Sequence, residues 1–263
     1  MKKKFSWKIF FILLGASIFG VVAVLPYSLA SQGDSLAQLG VSMPLWLLLV
    51  LQVLQNAVLF AVVILVGLLA ANRVGLGLPI LEAKLQGENV GEQVKEILLP
   101  SILLGVIGSI LVIVLDAFFF MPRLMAELGD KASSLNPEAL QPAAWKGLLA
   151  SFYGGIDEEV LLRFGLMSVL VWLGHFISKT EDGHPTLIVL WTANILAAVL
   201  FGLGHLPATA ALFPITPLVV VRAIVLNGFI GIVAGYLYYK HGLEAAMLSH
   251  FSADIVLHVI LAL

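Results

Sequence analysis

Seven stretches of this chain stay apolar for more than about 20 residues, the length of α-helix that crosses a ~30 Å hydrocarbon core. They are 9–29, 44–70, 97–121, 145–177, 185–205, 217–239 and 242–263. Read as spans, they make an all-α, polytopic transmembrane bundle of about seven to eight helices. Composition agrees. Charged residues are 11% and apolar residues 60% of the chain, whereas soluble proteins carry ~25% charged residues. So few charges cannot cover a soluble surface. There is no cysteine, which excludes disulfides, thiolate catalysis and cysteine-held metal clusters. The net charge of −2 carries no electrostatic footprint for nucleic acid.

Lys2, Lys3, Lys4 and Lys8 precede the first run. A basic start and an apolar run also describe a signal peptide, with Ser28-Leu29-Ala30 as a cleavage-like site. The run exceeds the ~7–15 residues of a signal core, so a retained anchor is expected. Residues 71–96 carry Arg73, Glu82, Lys84, Glu88, Glu92, Lys95 and Glu96 and read as a loop with a short surface helix. A polar connector over 122–144 divides N-terminal helices (1–144) from a C-terminal unit (145–263) that holds most of the buried polar residues. The run 145–177 would extend about 50 Å as one helix, so it is expected to tilt or to break at Gly154-Gly155. The apolar segment 206–216, with two prolines, reads as a submerged loop. With the N-terminus inside, Lys2, Lys3, Lys4, Lys8, Arg73, Lys84, Lys95, Lys179 and Lys240 lie on the inner side. Arg123, Lys131 and Lys146 lie on the outer side. The positive-inside rule favours that orientation.

Asp157, Glu158, Glu159, Arg163, His205, Arg222, Asn227, His250, Asp254 and His258 lie within or beside apolar runs. A charge at mid-bilayer costs roughly 2.5–3.5 kcal/mol, so four left unpaired would cost about 10 kcal/mol. These groups must meet one another or water. Residues four apart share a helix face, which pairs Glu159 with Arg163, His250 with Asp254 and then His258, and Phe201 with His205. Glu158 points about 100° away from Glu159. Counting 1.5 Å per residue, Glu158 and His250 reach similar depths. One site built from three helices follows.

The three clusters have a recognisable form. Glu158-Glu159-Val160-Leu161-Leu162-Arg163 reads E-E-x-x-x-R, Phe201-Gly202-Leu203-Gly204-His205 reads F-x-x-x-H, and His250-Phe251-Ser252-Ala253-Asp254 reads H-x-x-x-N/D. In this order, on late apolar runs, they resemble the CAAX-processing and bacteriocin-protection family of intramembrane glutamic endopeptidases, the group that includes type II CAAX prenyl endopeptidases. The resemblance covers about residues 146–263, and Asn227-Gly228 resembles the family's asparagine on the penultimate helix. It implies that Glu158 is the general base, that His205 orients the water, and that a glutamate mechanism operates without a cofactor. A carboxylate in an apolar site can take a proton from water, and His250 can donate to a developing oxyanion. Asp254 stands where relatives often carry asparagine. An amide can donate a hydrogen bond and an ionised carboxylate cannot, so Asp254 is either protonated or orients His250. Leu-Leu-Arg-Phe-Gly around Arg163 replaces the more frequent Phe-Arg-Gly, with the arginine in register.

Each residue has a plainer reading. Glu158 can pair with Arg163, and His205 can cap a carbonyl. Glu159 is better placed than Glu158 to pair with Arg163 and is expected to hold the helix. Phe201 is expected to pack beneath the site, and His258 to lie at the membrane interface. Arg222 can snorkel or meet a substrate carboxylate, and Gly231 and Gly235 form a G-x-x-x-G packing device. Zinc is the rival chemistry, since two histidines and a carboxylate suffice for a catalytic site and His205, His250 and Glu158 supply them. No H-E-x-x-H motif accompanies them. A proton-coupled transporter would also bury acids and histidines, and a catalytically silent immunity scaffold could retain the fold. The reading taken is an intramembrane peptidase of a prokaryotic cell membrane, with a peptide or membrane-protein segment as substrate and the lipid bilayer as its surroundings. The basic-residue bias turns the site away from the cytoplasm, and the family's cytoplasmic substrates imply the reverse.

Overall fold

A computed structural model describes residues 5–38 and 43–263. Lys2, Lys3 and Lys4 of the orientation argument lie outside the described residues. Within them the chain is all-α. The helices are α1 (Trp7–Gln38), α2 (Leu45–Val74), α3 (Pro79–Leu85), α4 (Gly91–Leu115), α5 (Met121–Leu128), α6 (Pro137–Leu140), α7 (Ala144–Phe152), α8 (Ser168–His175), α9 (Leu187–Gly204), α10 (Leu206–Ala210), α11 (Pro217–His241) and α12 (Leu243–Asp254). Six helices are long and apolar enough to cross a membrane, starting at Trp7, Leu45, Gly91, Leu187, Pro217 and Leu243. A seventh rod joins α7 to α8 through two π-helical stretches, Tyr153–Glu158 and Val160–Met167. It is this rod that carries the E-E-x-x-x-R motif.

The expected break at Gly154-Gly155 does not occur. The backbone stays helical and widens into π geometry instead, a form that recurs at functional sites. The connector over 122–144 is also less open than its prolines suggest. A π turn, Asp116–Phe120, carries α4 directly into α5. Leu124 of α5 then packs with Phe213 and Val219 to cover one end of the bundle. At that rim Lys146 donates to Glu138 at 2.8 Å. This hydrogen bond holds the Glu138 carboxyl below the usual carboxylate range. The surface helix expected within 71–96 is α3. It is pinned to the start of α12, because Leu81 N donates to Glu244 Oε1 at 2.8 Å and Leu243 N to the Gly77 carbonyl at 3.0 Å.

The starts of the two helices that flank the site are encoded locally. Thr186 and Thr216 accept from Val189 N and Val219 N as N-caps of α9 and α11, and Pro217 takes the first turn of α11, where its missing N–H costs nothing. The core lies around the broken-register rod. Val160, Phe164, Met167 and Val171 are buried against Phe60, Ile64 and Leu68 of α2, Ala193 and Ala197 of α9, and Ala234 and Tyr238 of α11. Leu54, Val58, Leu99, Leu103 and Ile188 point outward, as expected of helices solvated by lipid. The G-x-x-x-G pair does the close packing anticipated for it. A side chain on Gly231 would strike Ala198 and the Arg163 guanidinium, and one on Gly235 would strike Asn194. Glycine therefore lets α11 lie directly on α9.

Candidate active site

The rod, α9 and α12 bring their three motifs together, with α1 and α11 closing the sides. Glycines set the spacing. A Cβ on Gly154 would meet the Asp254 carboxylate, and one on Gly155 would meet Phe251 and the Met247 carbonyl. Only because both lack side chains can α12 approach the rod at the depth of Glu158.

Glu158 stands between two histidines. Its Oε2 is 3.5 Å from His250 Nε2 and its Oε1 is 3.9 Å from His205 Nε2. Glu158 is only partly covered, with its side chain 20% exposed into a cavity of about 720 Å3. His205 Nδ1 lies 2.9 Å from the Phe201 carbonyl of its own helix. A carbonyl only accepts, so Nδ1 carries a proton, and Nε2 is the nitrogen turned towards Glu158. The carbonyl bond expected of a helix-end histidine is therefore made by Nδ1, and Nε2 is the nitrogen near Glu158.

Glu159 faces the other way, into the protein. It is fully buried and pairs with Arg163 Nη1 at 3.0 Å, and the same Oε1 takes His250 Nδ1 at 2.7 Å. The Arg163 contact is an ion pair rather than an aligned hydrogen bond. Phe201 packs beneath all of this. Its ring meets His205 and His250 edge-on, at centroid distances of 4.7 and 5.6 Å, and the Arg163 guanidinium lies 4.9 Å over its face. The sequence spacing had Glu159 with Arg163 and Phe201 below the site, and both placements are found.

Asp254 Oδ1 is 3.7 Å from His250 Nε2 and 3.9 Å from His258 Nε2. Asn227 Nδ2 donates to the Ala223 carbonyl of its own helix at 2.9 Å, and Asn227 also lines the cavity. His258 was expected at the membrane interface. It lies on the cavity instead, four residues past Asp254 and on the same helix face. Asp157 turns away from the cavity. Its carboxyl is buried against Gly20 and beside Ser17 of α1, without a well-formed hydrogen bond among the described residues. No three His, Asp or Glu side chains among the described residues converge as metal ligands would.

Two features escaped the sequence. Arg222 neither snorkels nor stands free. It forms a two-pronged pair with Asp116, Nε to Oδ1 at 2.7 Å and Nη2 to Oδ2 at 2.6 Å, on the wall of the same cavity. Asp116 is the one acid in the run 97–121, and an arginine within an apolar run that needs a partner was the signal that could have found it. Tyr27 of α1 also reaches the cavity, hydrogen-bonded to His258 at 3.2 Å. Nothing in the apolar run 9–29 marked that tyrosine.

Comparison with known families places the resemblance on firm ground over part of the chain. Residues 140–256 match the family described as type II CAAX prenyl endopeptidase Rce1-like. That segment contains all three motifs and Asn227. It ends two residues before His258 and includes neither Tyr27 nor Asp116. No curated protein and no solved structure matches the chain.

Proposed function

We propose that this chain, matched over residues 140–256 to the type II CAAX prenyl endopeptidases, is an intramembrane endopeptidase that uses a glutamate-activated water. The family match indicates a peptidase acting on peptides at the membrane. The observation that carries the finer reading is the placement of Glu158 between the Nε2 atoms of His205 and His250, on the floor of a membrane-embedded cavity. The 3.9 Å between Glu158 and His205 is too long for a direct hydrogen bond. It suits a shared water, bonded to both groups and lying off the line between them.

In this mechanism Glu158 takes a proton from that water, aided by the lone pair on His205 Nε2. The oxygen bonds to the carbonyl carbon of the scissile amide. The carbonyl electron pair moves onto its oxygen, which faces His250 Nε2–H. With Nδ1 committed to Glu159, His250 donates there only when both nitrogens carry protons. The intermediate then collapses, the C–N bond breaks, and Glu158 returns its proton to the departing nitrogen. The products are a carboxylate and an amine. Glu159 and Arg163 keep His250 aimed and do not touch the substrate. The surroundings proposed are a prokaryotic cell membrane, and the substrate class is a peptide or a membrane-protein segment.

The test is cleavage of a membrane-anchored peptide library by detergent-purified protein. Glu158→Gln should lower turnover by at least about 10³-fold, the scale set by removing a group that acts with others as a unit. A Glu158→Gln protein with wild-type cleavage would overturn the reading. The same preparation decides the zinc alternative: turnover should survive chelation, and stoichiometric zinc whose removal stops it would replace the glutamate mechanism.

A further inference from the structure

Asp254 is held in an unusual way. Its Oδ2 lies against the bare Cα of Gly154, so the carboxyl cannot swing towards the rod. Its Oδ1 sits between two imidazoles, 3.7 Å from His250 Nε2 and 3.9 Å from His258 Nε2. His258 is fixed from both sides. A Cβ on Gly147 would strike its backbone carbonyl, so α7 lies directly on that turn, and the Tyr27 hydroxyl stands 3.2 Å from its Nδ1. The two rings meet edge-on with centroids 5.3 Å apart.

We infer that Tyr27 and His258 are positioning residues that hold Asp254 in place as a counter-charge beside His250, whose Nε2–H stays available to the oxyanion. The inference rests on the endopeptidase reading above. The hydrogen bond decides the tautomer. If the Tyr27 hydroxyl donates to Nδ1, the neutral ring carries its proton on Nε2 and aims that N–H at Asp254 Oδ1. The reverse assignment would turn an imidazole lone pair onto a carboxylate oxygen, which is repulsive. Oδ1 then has His258 Nε2–H aimed at it from one side and the charge of His250 on the other. A buried carboxylate is tolerable only when donors compensate the lost water, and His258 is the donor on its outer side.

This arrangement answers the question raised by an aspartate at a position where an amide can donate. Asp254 as carboxylate offers no hydrogen to an oxyanion. It serves instead as the counter-charge that lets His250 keep a proton on Nε2, with Glu158 on the same nitrogen and Glu159 on the other. The arm that supports it comes from α1 and from the chain end, beyond the segment 140–256 that matches the family.

The experiment is a double-mutant cycle with a spectroscopic arm. His258→Ala should lower kcat about tenfold with KM nearly unchanged, the size expected for one hydrogen bond to a charged group. Tyr27→Phe should lower it by a smaller factor. In an Asp254→Asn background the amide needs no such donor, and His258→Ala should then change kcat less than about twofold. Equal losses in both backgrounds, or no loss in either, would overturn the inference. If the wild-type protein cleaves nothing, the endopeptidase reading fails on its own, and if Glu158→Gln cleaves like wild type the glutamate base fails; in either case the imidazole nitrogens decide the matter. In 15N spectra of histidine-labelled protein, His258 should be protonated on Nε2, and Tyr27→Phe should shift its Nδ1 resonance. A His258 protonated on Nδ1, or unmoved by Tyr27→Phe, would refute the arm whatever the activity.

Discussion

Removing either partner of the Glu159–Arg163 pair should destabilise the protein strongly. The Arg163 side chain is 1% exposed and that of Glu159 is 0% exposed, at 3.0 Å. Breaking a buried pair from one side leaves an uncompensated charge and costs about 3–5 kcal/mol. Arg163→Met keeps most of the apolar stem but removes the guanidinium that lies over Phe201, a cation–π contact that adds about 0.5–2 kcal/mol to that figure. Glu159→Gln should cost a similar amount, because Arg163 then has no counter-ion, although the amide oxygen can still accept from His250 Nδ1. The double variant removes both charges together. It should recover at least about half of the summed loss, since neither group is left charged and alone. Its proteolysis should stay low, because His250 has lost the carboxylate at Nδ1. The assay is reversible unfolding in mixed detergent micelles, followed by helical signal, with cleavage measured on the same preparations. Additive losses in the double variant would refute the pair as the source of stability. Recovery of full proteolysis in the double variant would refute the claim that Glu159 matters through His250.

Two further outcomes follow from the geometry. Asp116→Asn and Arg222→Gln should each cost about 1–3 kcal/mol, as the loss of a charge-assisted two-pronged pair in a partly covered site, and the double variant should cost no more than the worse single change; strict additivity would show that the two side chains do not depend on each other. Single cysteines at Ser133 and Gly183, in a chain with none of its own, should label from opposite sides, with Ser133 reached in intact cells; labelling of Ser133 only after permeabilisation would turn the cavity towards the cytoplasm.

The orientation prediction is sharper with the structure than without it. The cavity is lined by Ser31 late in α1, by Asp116 at the end of α4, by Ala150 early in the rod, and by His205, Arg222 and His258. These are the late parts of α1, α4, α9 and α12 and the early parts of the rod and α11. Successive rods run antiparallel, so all of these ends lie at one face, opposite the start of α1. The basic-residue count puts that start inside. Of the described basic residues, Lys8, Arg73, Lys84, Lys95, Lys179 and Lys240 lie at or beyond the cavity-distal ends of their helices, and Arg123, Lys131 and Lys146 lie at the cavity end. The parity argument from sequence therefore needs no change. Only the sign of one end remains to be fixed by labelling.

What the sequence made legible was what local spacing dictates. Apolar runs of fixed length give helices, and an i, i+4 acid and base give Glu159 with Arg163. The rise per residue brings Glu158 and His250 to similar depths, and leaves His205 shallower unless 206–216 is submerged. What stayed hidden was whatever depends on which helix faces which. Asp116 and Arg222 are 106 residues apart, and Tyr27 and His258 are 231 apart, so no periodicity links them. Only the cost of an unpaired charge in lipid pointed towards the first pair, and a tyrosine in an apolar run carries no such cost. The glycines show the same division from the other side. Gly154-Gly155 looked like a hinge because glycine weakens a helix. Its actual use is set by Asp254, Phe251 and Met247 arriving from α12. The missing side chains there make room for a neighbour rather than for a bend, and that neighbour carries Asp254 and His250 to Glu158.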